Sequence, residues 1–95
     1  MNLEALPVRD PAVVSRQIGD EAVLVHPVQG MIRVLNPVGA RIWELAIGER
    51  SVAALAAQIA DEYDAPPEQV AADVLRFCDD LEQRGVLRAA SVGDL

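Results

Sequence analysis

The sequence predicts an α+β domain in which a three-stranded antiparallel sheet is followed by three helices. Three observations predict it. Between Val13 and Leu35, β-branched residues recur at strand spacing, and two turn signals interrupt them: Gly19-Asp20 and Pro27-Val28-Gln29-Gly30. After Asn36-Pro37 the apolar spacing switches to a helical period. That period breaks near Gly48 and again at Asp64-Ala65-Pro66-Pro67, which divides the rest of the chain into three helices.

Residues 1–12 carry Pro7 and Pro11 and no sustained period, and read as a flexible N-terminal arm. The first strand is Val13–Ile18, the second Glu21–His26 and the third Met31–Leu35. Gly19-Asp20 suits a two-residue hairpin, which sets Ile18 opposite Glu21; the second turn sets His26 opposite Met31. In that register Val14, Ile18, Val23, Val25, Ile32 and Val34 share one face. Leu24, Met31, Arg33 and Leu35 share the other with Ser15, Gln17, Ala22 and His26. The first, more apolar set is expected to face the core.

The first helix starts with Asn36 as cap and Pro37 in the first turn, where its missing N–H costs nothing, and ends near Gly48. The second takes Ser51 as cap and runs to about Tyr63, with Val52, Leu55, Ala56 and Ile59 at helical spacing. The third starts near Pro67, with Glu68 in its first turn, and stops at Arg84-Gly85. Val70, Val74, Phe77 and Leu81 form its central stripe; Ala71, Leu75 and Cys78 widen one flank, and Asp73 and Asp80 lie on the other. Val86-Leu87 is expected to pack back on the domain, and residues 89–95 read as a C-terminal tail. The expected core is Val14, Val23, Val25, Val34, Leu35, Ile42, Trp43, Leu45, Leu55, Ile59, Val70, Val74, Phe77 and Leu81.

Composition narrows the function classes. At 95 residues the chain is one small domain, marginal alone, so that a partner matters for stability. The net charge is −7 and all eight basic residues are Arg, scattered along the chain, which weighs against nucleic acid. No apolar run reaches a membrane span, and the first residues lack the basic start and apolar block of a signal peptide. One cysteine allows no internal disulfide and fits a cytoplasmic location.

Candidate chemistry is sparse. His26 stands on a strand beside Pro27 and reads as a packing or surface residue. Cys78 has no histidine near it in sequence and is followed by Asp79 and Asp80, so its thiol is not expected to be activated. The acidic pairs Asp61-Glu62 and Asp79-Asp80 diverge by about 100° on a helix and do not converge on one ion. No zinc spacing or Gly-rich phosphate loop is present in the sequence, and no cofactor or metal site is expected. These features point away from catalysis. What remains is backbone recognition. A meander in order 1-2-3 leaves the outer edge of Met31–Leu35 either open to an extended peptide or covered by the N-terminal arm or Val86-Leu87. Both arrangements stay open on the residues alone.

The run Val34-Leu35-Asn36-Pro37-Val38-Gly39-Ala40-Arg41-Ile42-Trp43-Glu44-Leu45, followed by Ser51 to Ala56 and by Asp73 to Phe77, Leu81 and Gly85-Val86-Leu87, resembles the PqqD family. That family comprises protein D of pyrroloquinoline quinone (PQQ) biosynthesis and the related recognition domains of other modified-peptide pathways. The likeness runs from about Val13 to Leu87. It implies a winged-helix-like domain over residues 13–88 that binds, without catalysis, the leader of a ribosomally made precursor peptide. The domain would present that leader to a modifying enzyme, often a radical enzyme using S-adenosylmethionine. Carried onto this chain, the resemblance implies contacts from Met31, Ile32, Arg33, Val34 and Leu35 on the strand. On the helix it implies Val74, Leu75, Phe77, Cys78 and Leu81, with Asp73 at the rim. Two competitors are a winged-helix regulator, opposed by the five acids of the third helix, and a small acidic carrier protein. Against the carrier, Ser51 lies between Arg50 and Val52 and not in an Asp-Ser-Leu context.

Overall fold

A computed structural model describes residues 1–90 of the chain. The elements are β1 (Leu6–Arg9), β2 (Val14–Ile18), β3 (Glu21–His26), β4 (Met31–Leu35), α1 (Pro37–Leu45), α2 (Val52–Glu62), α3 (Pro67–Gln83) and β5 (Leu87–Ala90). The antiparallel sheet β2-β3-β4 has the register the turns imply, with Ile18 opposite Glu21 and His26 opposite Met31. Gly19 alone takes a positive φ, +64°, in the Gly19-Asp20 turn, the type II′ arrangement that matches strand twist.

The caps are local and specific. The Asn36 side chain accepts the Gly39 N–H at 2.8 Å and Ser51 Oγ accepts the Ala54 N–H at 3.1 Å, each satisfying an otherwise orphaned donor. The C-terminus of α3 closes as a Schellman motif: Gly85 N–H donates to Glu82 and Val86 N–H to Leu81, both at 3.0 Å. The end of α2 repeats the motif with Ala65 N–H on Ala60, and places Asp64 at φ 49° where glycine is usual.

Three expectations are corrected. First, the sheet turns its other face inward. Ala22, Leu24, His26 and Leu35 are buried, with Met31 packed against them, while Val14, Ile18, Ile32 and Val34 are exposed and Val23 and Val25 half-buried. Period-two alternation fixes which residues share a face but not which face meets the helices. β-branched side chains favour strands for conformational reasons whether or not they are buried, so their number misled. Second, residues 1–12 are not a loose arm. Leu6–Arg9 pairs with Leu87–Ala90, so the first part of the expected tail is also a strand; residues 91–95 lie outside the described residues. The segment also serves α2, whose Val52 and Ala53 N–H groups donate to Ala5 and Leu3 carbonyls at 2.9 Å. A pairing between segments some eighty residues apart leaves no local pattern. Third, Phe77 and Leu45 are only partly buried, at the margin of the core.

The core otherwise collects Ile42 and Trp43 of α1, Leu55, Ile59 and their neighbours of α2, and Val70, Val74 and Leu81 of α3. Val52, Ala46, Ala56, Ala60, Cys78, Val86 and Leu87 complete it, with Val86 and Leu87 packing back as expected. Arg9 ties the β1–β5 ribbon to α1: its guanidinium donates twice to the Trp43 carbonyl, at 2.9 and 2.7 Å, and lies 5.0 Å from the indole centroid. A cation at a helix C-terminus opposes the partial negative charge there.

Candidate functional site

The site follows from the outer edge of β4. Neither the N-terminal segment nor Val86-Leu87 covers it, since both are engaged in or beside the β1–β5 ribbon; among the described residues β4 pairs with β3 alone. Its free groups can be named. A two-residue hairpin closes on a hydrogen-bonded pair, here Ile18 and Glu21. Alternation then directs Val23 and Val25 toward β2, and Ala22, Leu24 and His26 toward β4. Leu35, Arg33 and Met31 therefore bond to β3, while the N–H and C=O groups of Ile32 and Val34 point to the open edge.

Beside that edge lies a groove of about 390 Å³ between β4, the start of α1, the end of α2 and α3. From the strand come Arg33, Val34 and Leu35; from α1 and its cap Asn36, Val38, Gly39 and Ile42. Ile59, Tyr63 and Ala65 close one end, and Val70, Asp73, Val74 and Phe77 form the α3 wall. Its walls are mainly apolar. Gly39 lets α1 and the Phe77 ring meet closely: a Cβ at that position would stand 3.1 Å from the ring, which would have to shift by a few tenths of an ångström. Asp73 sits at the exposed rim, held by Arg76 and by Gln69 Nε2 at 3.1 Å. Arg33 reaches across the mouth to Asp80 at 2.9 Å.

Of the residues named from sequence, Arg33, Val34, Leu35, Asp73, Val74 and Phe77 meet at this groove. Ile32 contributes its backbone to the edge and turns its side chain to the exposed face. Met31 is half-buried against the core. Cys78 and Leu81 are wholly buried within the core and line no open surface, and Leu75 packs on the far side of the α3 stripe from the groove. The groove thus opens on the Asp73 flank of α3, opposite the Leu75–Cys78 flank whose apolar width drew attention in the sequence. Sequence reasoning missed Asn36, Val38, Gly39, Ile42, Ile59, Tyr63, Ala65 and Val70. One signal was available for α1: it begins directly after β4, so its first turns must flank the strand's C-terminal end.

Burial, reinforced by the neighbouring Asp79 charge, pushes the Cys78 thiol up to about 11, the opposite of an activated nucleophile. His26 is buried, and its Nδ1 accepts the Gln29 N–H at 3.4 Å. Among the described residues no three His, Cys, Asp or Glu side chains gather as metal ligands would.

The fold and the site together define a small winged-helix-like α+β domain whose sheet has room for one further strand over a helical groove. The chain belongs to the PqqD family: the family model for coenzyme PQQ synthesis protein D matches residues 21–87. It is similar to a PqqA binding protein of Bradyrhizobium diazoefficiens, with 36% identity over 73 residues, 75% of this chain and 71% of the relative. Among solved structures, TbiB1 in complex with the TbiA(beta) leader peptide superposes with a TM-score of 0.80 at 31% identity, over 88% of this chain and 98% of TbiB1. The PqqD truncation of Methylobacterium extorquens PqqCD, a functional and stand-alone recognition element for ribosomally synthesized and post-translationally modified peptides, superposes at 0.71. Its identity is 26%, over 86% of this chain and 87% of that one.

Proposed function

We propose that this chain binds the leader of a ribosomally made precursor peptide as an added strand along β4 and presents it to a modifying enzyme. The observation that carries the reading is the open β4 edge, with the Ile32 and Val34 backbone groups free beside an apolar groove. An incoming strand pairs with those groups, and its alternate side chains enter the groove between β4 and α3. Backbone pairing gives affinity with little regard to sequence; the groove walls supply selection. The relative that binds PqqA and the structure of TbiB1 with a leader peptide support this assignment.

In this reading the chain is a recognition element and not a catalyst, and the chemistry belongs to its enzyme partner, of the radical S-adenosylmethionine class or another. The buried thiol of Cys78 and the buried imidazole of His26 agree with that role. The net charge of −7 opposes a nucleic-acid partner. No helix among the described residues is long and apolar enough to cross a membrane, and we place the chain in the cytoplasm, where the precursor is made. Calorimetric titration with the precursor peptide of the pathway this chain serves tests the reading. Saturable one-to-one binding to the leader half, and none to the core half, is expected; binding to neither half overturns it.

A further inference from the structure

β4 is one edge of the sheet; β2 is the other, and leader recognition along β4 makes no use of it. Among the described residues β2 pairs with β3 alone, and every one of its residues is exposed. The hairpin register that frees Ile32 and Val34 on β4 also fixes the free groups here. Val14, Arg16 and Ile18 bond to β3, so the N–H and C=O groups of Ser15 and Gln17 point to the open edge. The side chains of Ser15 and Gln17 lie on the helix side of the sheet, beside Leu24 and Ala22, yet they stay exposed where their neighbours are buried. A cavity of about 260 Å³ opens at this corner, between β2, Arg9 of β1 and the Ala40–Glu44 side of α1.

We propose that this corner is a second docking edge, which takes an extended, acidic segment of another protein as a strand alongside β2. Charge selects the occupant. The chain carries −7, yet Arg9 and Arg16, which both border the cavity, have no acidic partner among the described residues. Arg9 spends its Nε and Nη2 on the Trp43 carbonyl, and its Nη1 makes no hydrogen bond among the described residues. The buried indole N–H of Trp43 also lacks a partner there. The one acid in the wall, Glu44, is already held by Arg41 at 2.9 Å. The corner therefore offers donors and positive charge in a chain that is otherwise acidic. An added strand places alternate side chains on alternate faces, each beside its cross-strand neighbour. Residues opposite Ser15 and Gln17 project to the cavity side, toward Arg9; the residue opposite Arg16 projects to the other face, beside that guanidinium. Adjacent acidic residues in the incoming strand thus meet both arginines. A second copy of this chain does not fit the edge: antiparallel pairing of two β2 strands through Ser15 and Gln17 sets Arg16 directly against Arg16. The edge lies across the sheet from β4, so the inference stands independently of leader binding.

The probe is a blocked peptide, acetyl-Thr-Val-Glu-Glu-Val-Thr-amide, titrated into the full chain. Backbone amide shifts and the fluorescence of Trp43, the sole tryptophan, are the readouts. Shifts centred on Ser15 and Gln17 are expected, with a change at Trp43 and none at Ile32 and Val34. The same peptide with Gln for both Glu residues should bind roughly tenfold more weakly, and with Lys in their place not at all. Ser15→Pro removes an outward donor and should lower affinity for the acidic peptide roughly tenfold, with the fold intact by circular dichroism and leader titration unchanged. Arg9→Gln should weaken binding likewise, and so should Arg16→Gln, at an exposed position that leaves the fold intact. No response of Ser15 and Gln17 to the acidic peptide overturns the inference, as does equal binding of the Glu and Gln peptides. A Ser15→Pro variant that binds like wild type also overturns it. So does sodium acetate that reproduces the whole response, which marks a free-anion site only, or a wild-type chain that dimerises through Ser15 and Gln17 without peptide.

Discussion

Arg33 of β4 reaches Asp80 of α3 at 2.9 Å, and among the described residues it is the only ion pair joining the open strand to the helix across the groove. Both groups are about one-third exposed, so the pair itself contributes little to stability, typically below about 1 kcal/mol. Its consequence is spacing. Arg33→Ala should leave the melting temperature nearly unchanged while weakening leader binding severalfold, because the groove walls are no longer held together. Calorimetric titration beside a thermal melt checks both halves of that expectation.

Proline substitution separates the two sides of β4. The Val34 N–H faces the open edge and the Arg33 N–H faces β3. Val34→Pro removes a donor that only an added strand would use, so the domain should fold and leader affinity should fall roughly tenfold. Arg33→Pro breaks the sheet ladder and should lower thermal stability whether or not peptide is present. The order of the two melting temperatures is the readout.

Burial predicts a clear contrast within the sheet. Leu24 is fully buried, and Leu24→Ala should cost roughly 2–5 kcal/mol in urea unfolding. Val14→Ala, on the exposed face, should cost less than about 1 kcal/mol. Equal losses would mean that the sheet faces the core as its β-branched residues suggest, against the arrangement described above.

Acid should loosen the α1–α2 junction. The Arg41 guanidinium donates to both Glu62 oxygens, at 2.9 and 2.7 Å, and with Gln58 holds that carboxyl down at about 2, against 4.5 ordinarily. A depressed folded-state value contributes stability above the unfolded value, and the contribution is lost as pH falls through the window between about 4.5 and 2. Both groups lie near solvent, so the effect is small and salt-sensitive. Glu62→Gln should flatten the pH dependence of stability in that window and leave stability above pH 6 little changed in high salt.

Much of the fold was legible because its signals are local. Asn36-Pro37, Ser51 and Gly85 mark helix ends through hydrogen bonds to residues a few positions away, and Gly19-Asp20 fixes a register by its length. What was not legible depends on distant packing. Nothing near Leu6 signals Ala90, and nothing in the alternation of β2 to β4 signals which face the helices occupy. The site shows the same division. The open strand edge was legible because it follows from strand order, and of the groove's α3 wall Val74 and Phe77 because they lie on the α3 stripe, with Asp73 on its flank. The Leu75–Cys78 flank of α3 does not line the groove because width of apolar surface marks burial, and both side chains are turned into or along the core. Tyr63 reaches the groove only through the docking of α2, which no spacing encodes.

The central claim is that a leader peptide adds as a strand to β4. Backbone amide shifts of the domain, followed during titration with its precursor's leader, test it most directly. The account predicts the largest changes at Ile32 and Val34, smaller ones along the groove at Val38, Val74 and Phe77, and little change in β2. Changes confined to Val14–Ile18 or to α2, with Met31–Leu35 unaffected, would contradict it.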